Sequence, residues 1–377
     1  MEDDVRSVAS SNDQFSLKLY DLLRNKEGDL LMSPFSMSVV MAMVSAGARG
    51  NTLTQIMKGF SFPTPSSLQL GYKDTLPALK STDNFTLEAA NTAFVQKSYS
   101  VLPSFQDILE KFFPTSFQSV NFRNGHSAAK KNNNWVKKIT MKKIKNLITP
   151  DMLDSSTHLV LGNAIYFKGD WADNFDPKLT RDKNFYDSPS TEVMVPMMMQ
   201  VREFQWANLD TLSSSMVELP YKGERIVMQV LLPWERHGLG ELEDKLTNQN
   251  IQDLFEKESS KTKVFIQLPK FKMEQKIDLK PIFIELGVSD LFSADLADFS
   301  DINGKKGLYV SEVVQKAFIE VNEEGSEAAA ATGVVIKGRS LGSRPKKFIA
   351  DHPFIFCIRD KATGMLLFQG RVVNPKS

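Results

Sequence analysis

Asn322-Glu323-Glu324-Gly325-Ser326-Glu327-Ala328-Ala329-Ala330-Ala331-Thr332-Gly333-Val334-Val335-Ile336-Lys337-Gly338-Arg339-Ser340-Leu341-Gly342-Ser343-Arg344-Pro345-Lys346-Lys347-Phe348-Ile349-Ala350-Asp351-His352 is the stretch of this 377-residue chain that fits neither a regular helix nor a regular strand. A short Ala-rich helix running into a surface loop is one reading. Against it, Thr332, Gly333, Val334, Val335 and Ile336 are poor helix formers, and Gly325 and Gly338 bracket the piece. At the strand period of two, Ser326, Ala328, Ala330, Thr332, Val334 and Ile336 share one face, all small or apolar, while Glu327 falls on the other. Such a segment can lie in a sheet with its small groups inward, or stay exposed as a loop. The residues permit a change between the two.

The rest of the chain sets the frame for that segment. Hydrophobic residues make up 42% and charged residues 24%, which excludes wholesale disorder. Lys and Arg number 46 against 45 Asp and Glu, so no global charge favours nucleic acid or a membrane surface as partner. The single cysteine, Cys357, permits no internal disulfide and no Cys-based zinc site, and the four scattered histidines make no metal motif. No cofactor or metal is expected. The acidic start Met1-Glu2-Asp3-Asp4 does not read as a signal peptide, so the chain stays in the cytosol or has had a leader replaced by Met.

Periodicity predicts helices over 12–24, capped at Asn12 or Asp13, and over 34–47, opened by Pro34. A helical return is expected over 240–257. Strands are predicted at Leu159–Phe167, Met216–Leu219, Ile226–Leu232 and Val264–Leu268. Phe354–Ile358 and Met365–Gly370 form a hairpin across Asp360-Lys361-Ala362-Thr363. No linker divides the sequence, so residues 1–377 are expected to form one α+β domain with largely antiparallel sheets.

Glu323 to Thr332 closely resembles the hinge of inhibitory serpins. Further motifs follow in the family's order: Ser33-Pro34-Phe35-Ser36, then Asn163-Ala164-Ile165-Tyr166-Phe167-Lys168-Gly169-Asp170-Trp171, then Asp351-His352-Pro353-Phe354 and Phe368-Gln369-Gly370-Arg371-Val372. The resemblance spans the chain. It implies the serpin fold, with three β-sheets, eight or nine helices and an exposed reactive loop over about 324–347. It also implies an irreversible inhibitor. A serine protease cleaves the loop and is held as an acyl-enzyme, while the hinge residues Glu323, Gly325, Ser326, Glu327, Ala328, Ala329, Ala330, Ala331 and Thr332 lead the loop into the main sheet. The family's spacing from Glu323 puts the reactive bond at Arg339–Ser340. Arg there fits the acidic specificity pocket of trypsin-like enzymes, and the loop is similar to that of antithrombin. That likeness implies a secreted, monomeric regulator of a clotting-type or immune cascade. A binding or chaperone-like serpin that never inserts its loop is the alternative, and the small-residue hinge favours the inhibitor. Ser33, Ser36 and Asn163 match the family's buried shutter, in which Gln315 stands where many members have histidine.

Two patterns remain. From Arg123 to Pro150 there are eight cations and no acid. A helix over 127–145 would align Lys131, Lys138, Lys142 and Lys145 on one face as a heparin-like polyanion site, with Trp135, Val136 and Ile139 toward the body. A solvated helix face is the plain reading. Gly338-Arg339-Ser340-Leu341-Gly342 spells a hydrolase nucleophile elbow, but an elbow needs a strand before its Ser and a helix after it, and Arg344-Pro345 comes next. No enzyme is expected.

Overall fold

The computed structural model describes residues 2–113, 116–246, 251–325 and 344–376. In chain order the elements are α1 (Glu2–Leu23), β1 (Leu30–Met32), α2 (Pro34–Ser45), α3 (Gly50–Gly59), α4 (Pro65–Ala78), β2 (Phe85–Gln96), α5 (Pro103–Phe112), β3 (Ser116–Val120) and α6 (Gly125–Ile139). There follow β4 (Leu159–Gly169), β5 (Arg181–Phe185), β6 (Val193–Leu209), β7 (Ser214–Pro220), β8 (Ile226–Pro233), α7 (Leu239–Leu246), α8 (Ile251–Glu258), β9 (Ser260–Pro269) and β10 (Phe271–Asp278). The chain closes with α9 (Lys280–Glu285), α10 (Ser300–Asn303), β11 (Val310–Val321), β12 (Lys346–Ile349), β13 (Phe354–Asp360) and β14 (Leu366–Val372).

A five-stranded sheet runs β10-β11-β4-β2-β3. Its central strands are apolar almost throughout because both faces are buried. On β4, Leu159, Leu161, Ile165 and Phe167 point into the main core, while Val160, Ala164 and Tyr166 point into a second core under α6. The other sheet runs β1-β14-β13-β8-β7-β6-β9-β12, with β5 on β6. Helix α2, apolar on every side, is buried along its whole length and packs against β2, β4 and β14.

The α+β class holds, and the counts of sheets and helices change. Hydrogen bonding joins two of the expected three sheets, because the long β6 pairs with β5 and β9 along most of its length and with β7 at its end. The sheets are largely antiparallel as expected, with three parallel pairs, β11–β4, β12–β9 and β2–β3. The described residues form ten α-helices, not eight or nine. The first helix also starts earlier than its apolar spacing indicated. Asn12 lies inside it, buried, and donates to the Leu366 carbonyl at 2.9 Å rather than capping.

The β13–β14 turn is locked by Asp360, which is fully buried. Its carboxylate accepts from Arg225 Nε (2.6 Å) and Nη2 (2.9 Å), and from the Thr363 hydroxyl (2.6 Å). Removing it strands a guanidinium that is itself only part-exposed. Asp360→Ala is therefore expected to cost on the order of 3 kcal/mol, read as a lowered urea midpoint.

Candidate functional site

The seam between β4 and β11 is the centre of the site. The two strands lie side by side and parallel, paired from Val310 against Leu159 to Phe318 against Tyr166, with one register shift between Val310 and Glu312. Beyond that level each keeps only its outer neighbour: Phe167–Gly169 pair with β2, and Ile319–Val321 with β10. The seam is thus closed along most of its length and open at one end.

The open end is capped by residues 322–325. Trp171 N donates to the Glu324 carbonyl at 2.8 Å, Phe175 N to the Glu323 carbonyl at 2.8 Å, and the Trp171 indole to the Asn322 carbonyl at 2.9 Å. The indole stacks on Tyr221, with centroids 4.4 Å apart. The Glu323 carboxylate takes the Thr180 hydroxyl at 2.8 Å and the Lys270 ammonium at 2.7 Å. Gly325 has φ +105°, and a Cβ there would collide with the Gly169 carbonyl and Trp171 N, so this turn requires glycine.

Mid-seam, the strand period puts Asn91 of β2, Asn163 of β4 and Gln315 of β11 at one level, all in register. Gln315 accepts from Ser33 N at 2.9 Å and donates to the Ser33 carbonyl (2.9 Å) and Asn163 Oδ1 (2.6 Å). Asn163 Nδ2 donates to Asn91 Oδ1 at 2.6 Å and to Ser36 Oγ. The Ser36 hydroxyl donates to Asn91 Oδ1 at 2.6 Å, and the Ser33 hydroxyl, the N-cap of α2, to the Leu367 carbonyl at 2.6 Å. Ser33, Ser36, Asn163 and Gln315 are brought together as the sequence motifs suggested. Asn91 belongs with them and was missed, although a lone amide in the apolar run of β2 was the available signal. Lys270 and Thr180 carried no signal, because both lie far from Glu323 in sequence.

The remaining hinge residues, Ser326, Glu327, Ala328, Ala329, Ala330, Ala331 and Thr332, lie outside the described residues, as does the bond Arg339–Ser340. The chain re-enters the described structure at Arg344-Pro345 and passes into β12. The chain beyond Ser340 therefore leads into a strand and not into the helix a nucleophile elbow requires. His352 is buried between Asp351 Oδ1 (2.7 Å) and the Pro233 carbonyl (2.9 Å). Burial pushes the Cys357 thiol up to about 12, leaving no thiolate for nucleophilic work at neutral pH.

The basic segment departs from the helix expected over 127–145. Helix α6 stops at Ile139, because Met141 and Lys142 take left-handed φ of 49° and 66° and Lys142 N closes onto the Lys137 carbonyl at 2.8 Å. Ile144, Leu147 and Ile148 then fold onto the outer face of the seam with Val136, against Tyr166, Val314 and Phe318. Lys131 and Lys138 stay on the exposed helix face, whereas Lys142 and Lys145 belong to the return loop. Trp135 and Ile139 turn inward as expected. Elsewhere on the surface, Lys18 is hydrogen-bonded to Ser61 Oγ at 2.7 Å, and Arg24 is paired with Asp21 and Asp244.

Two outcomes follow from this geometry. Gln315→Leu leaves buried Ser33 N and Asn163 Oδ1 without these partners, the Ser33 carbonyl keeping Met37 N at 3.3 Å, and should lower stability by about 2–3 kcal/mol in urea unfolding. For Glu323, burial works to raise the carboxyl, but the Lys270, Thr180 and backbone hydrogen bonds outweigh it, and the group sits below its ordinary 4.5. A depressed carboxyl stabilises fully above the unfolded value and loses that contribution as pH falls through the folded one. The cap should therefore loosen only below about pH 4.5, seen as a tryptophan emission change that is absent in Trp171→Phe.

A sequence model of the family described as Serpin (serine protease inhibitor) matches residues 10–375. Serpin B3 of Homo sapiens is 38% identical, covering 98% of this chain and 100% of its own length. The Leukocyte elastase inhibitor of Homo sapiens is 37% identical with the same coverage. Among solved structures, Serpin48 of the insect Tenebrio molitor superposes with a TM-score of 0.88 at 35% identity, over 98% of each chain. With the family model covering nearly the whole chain, and the paired β4–β11 seam in place, the protein belongs to the serpin family.

Proposed function

We propose that this serpin is an irreversible suicide inhibitor of trypsin-like serine proteases, with Arg339–Ser340 as its reactive bond. Serpins are protease inhibitors, not enzymes. The observation that carries the mechanism is the seam. A strand continuing from β11 through the turn at 322–325 runs back antiparallel to β11, and hence antiparallel to β4 as well. Entering between them, it replaces one parallel ladder with two antiparallel ones, which are slightly more stable per residue. About a dozen added hydrogen bonds at roughly 0.5–1.5 kcal/mol each supply on the order of 10 kcal/mol. Serpin loop insertion is itself an established case of strand addition. The alanine-rich hinge brings no bulky, charged or Pro side chain to the inward face from Ser326 to Thr332, which favours insertion over the binding or chaperone-like alternative.

Five of the relatives are named for leukocyte elastase. Elastases have a small specificity pocket, which an arginine does not fill productively, so Arg339 points this chain to the trypsin-like class instead. Secretion and action in a clotting-type or immune cascade belong to the same proposal. So does modulation by heparin or another sulfated glycosaminoglycan. Lys131 and Lys138 on α6, with Lys137 and Lys142 beside them, are exposed and form no ion pair among the described residues.

Mixed with trypsin, the protein should yield a complex that survives denaturing electrophoresis, lost in Arg339→Ala. Cleavage after Arg339 without that complex would sink the inhibitor reading. A complex with elastase that persists in Arg339→Ala would move the reactive bond. Heparin should accelerate complex formation, with a log–log salt slope that becomes less steep by about one to two in Lys131→Gln/Lys138→Gln; no heparin effect removes the polyanion part alone.

A further inference from the structure

Where the chain passes from the loop into β12, five cations occupy one corner of the molecule. Arg344, Lys346 and Lys347 stand on β12 and its approach, and Lys261 and Lys263 on the neighbouring β9. All five are exposed, and none makes an ion pair among the described residues. The register sets Lys347 against Phe265 and Lys346 against Val264. The period of two then puts Lys347, Lys263 and Lys261 on one face, while Lys346 turns to the other and lies over the Trp206 ring at 5.2 Å. On β6, within the span that pairs with this corner, Glu203 opposite Lys263 is the one acid, while Arg202 is paired with Asp173 at 3.8 Å. The corner is strongly positive although the chain as a whole is nearly neutral.

Lysines on an edge strand commonly serve to block strand-to-strand association. That accounts for Lys346 and Lys347, because β12 pairs with β9 alone. It serves Lys261 and Lys263 as well, because β12 pairs with β9 only from Val264 onward, but it makes no use of their position beside the loop that carries the reactive bond. We propose that this corner is a docking surface for the target protease, and that it selects proteases carrying carboxylates on the side that receives the residues after the cleaved bond. The inference rests on Arg339–Ser340 being the reactive bond. Four residues beyond Ser340 reach at most about 15 Å, so Arg344 lies within that distance of the bond. A protease domain of roughly 200 residues has a radius of gyration of about 16–17 Å. An enzyme seated on the bond therefore overhangs β12 and β9, and its charge there meets the five cations. Complementary charge at such a rim acts chiefly on the encounter rate and is screened by salt.

The test uses the full chain with two forms of trypsin, one unmodified and one carrying three acidic substitutions in the loops lining its leaving-group side. At low ionic strength the wild-type chain should trap the acidic form about tenfold faster or more. In 0.5 M NaCl, and in Lys261→Gln/Lys263→Gln/Lys347→Gln, the ratio should fall to about 1 with the stoichiometry of inhibition unchanged. A ratio near 1 for the wild-type chain at low salt overturns the proposal. Aggregation of the triple variant with the rate preference intact assigns the lysines to edge protection and overturns it as well. Loss of heparin-column retention in the triple variant, together with a ratio near 1 for the wild-type chain at low salt, gives the corner to polyanions instead. If neither trypsin forms a covalent complex, the reactive-bond reading falls and takes this inference with it, an outcome distinct from a complex that forms without preference.

Discussion

Two strands lying side by side and parallel, with one end of their seam left open, are the arrangement on which the rest of this structure depends. β4 and β11 satisfy each other's backbone groups from Leu159 to Tyr166 and from Val310 to Phe318. That pairing suffices to hold the sheet closed, yet it forms one ladder where two could stand. Everything around the seam either keeps it closed or holds a chain end near its mouth. Glu323 and Trp171 cap the open end, α6 and its return loop cover the outer face, and α2 backs the inner face.

The polar cluster beneath the seam shows how such a sheet is held without being made permanent. Buried amides and hydroxyls cost free energy unless each is paired, and here Ser33, Ser36, Asn91, Asn163 and Gln315 are hydrogen-bonded to one another and, through the Ser33 hydroxyl, to the Leu367 carbonyl. An apolar core at this level would set register only through side-chain shape and the strand period. The hydrogen-bonded set fixes one register and ties all three strands to the N-terminus of α2. None of its members titrates in the working range, so the closing of the mid-seam is insensitive to pH. The cap at Glu323 is different, because a carboxylate and an ammonium form it.

How much of this was legible depends on distance along the chain. Alternation and apolar runs placed β4, β7, β8, β9 and the β13–β14 hairpin to within a few residues, since strand period and turn residues are local properties. The end of α6 was not legible. The lysines from Lys137 to Lys145 continue at helical spacing, and only the packing of Ile144, Leu147 and Ile148 on the sheet explains why the chain turns left-handed at Met141 and Lys142. The joined sheets were equally hidden, because β6 pairs with β9 and then with β7 through neighbours that are settled only by the tertiary fold.

The sequence by itself determined the class of fold, the family, the small-residue face of the hinge, and the candidate bond at Arg339–Ser340, because each rests on side-chain identity at fixed spacing. The tertiary structure alone decided that Glu323 is held by Lys270 and Thr180 and that Asn91 completes the cluster beneath the seam. It alone also showed that Lys261 and Lys263 stand beside Lys347. These pairings join segments separated by tens to hundreds of residues, and no local pattern in the chain encodes which of them will meet. Burial and strand register do so only once the whole core has formed.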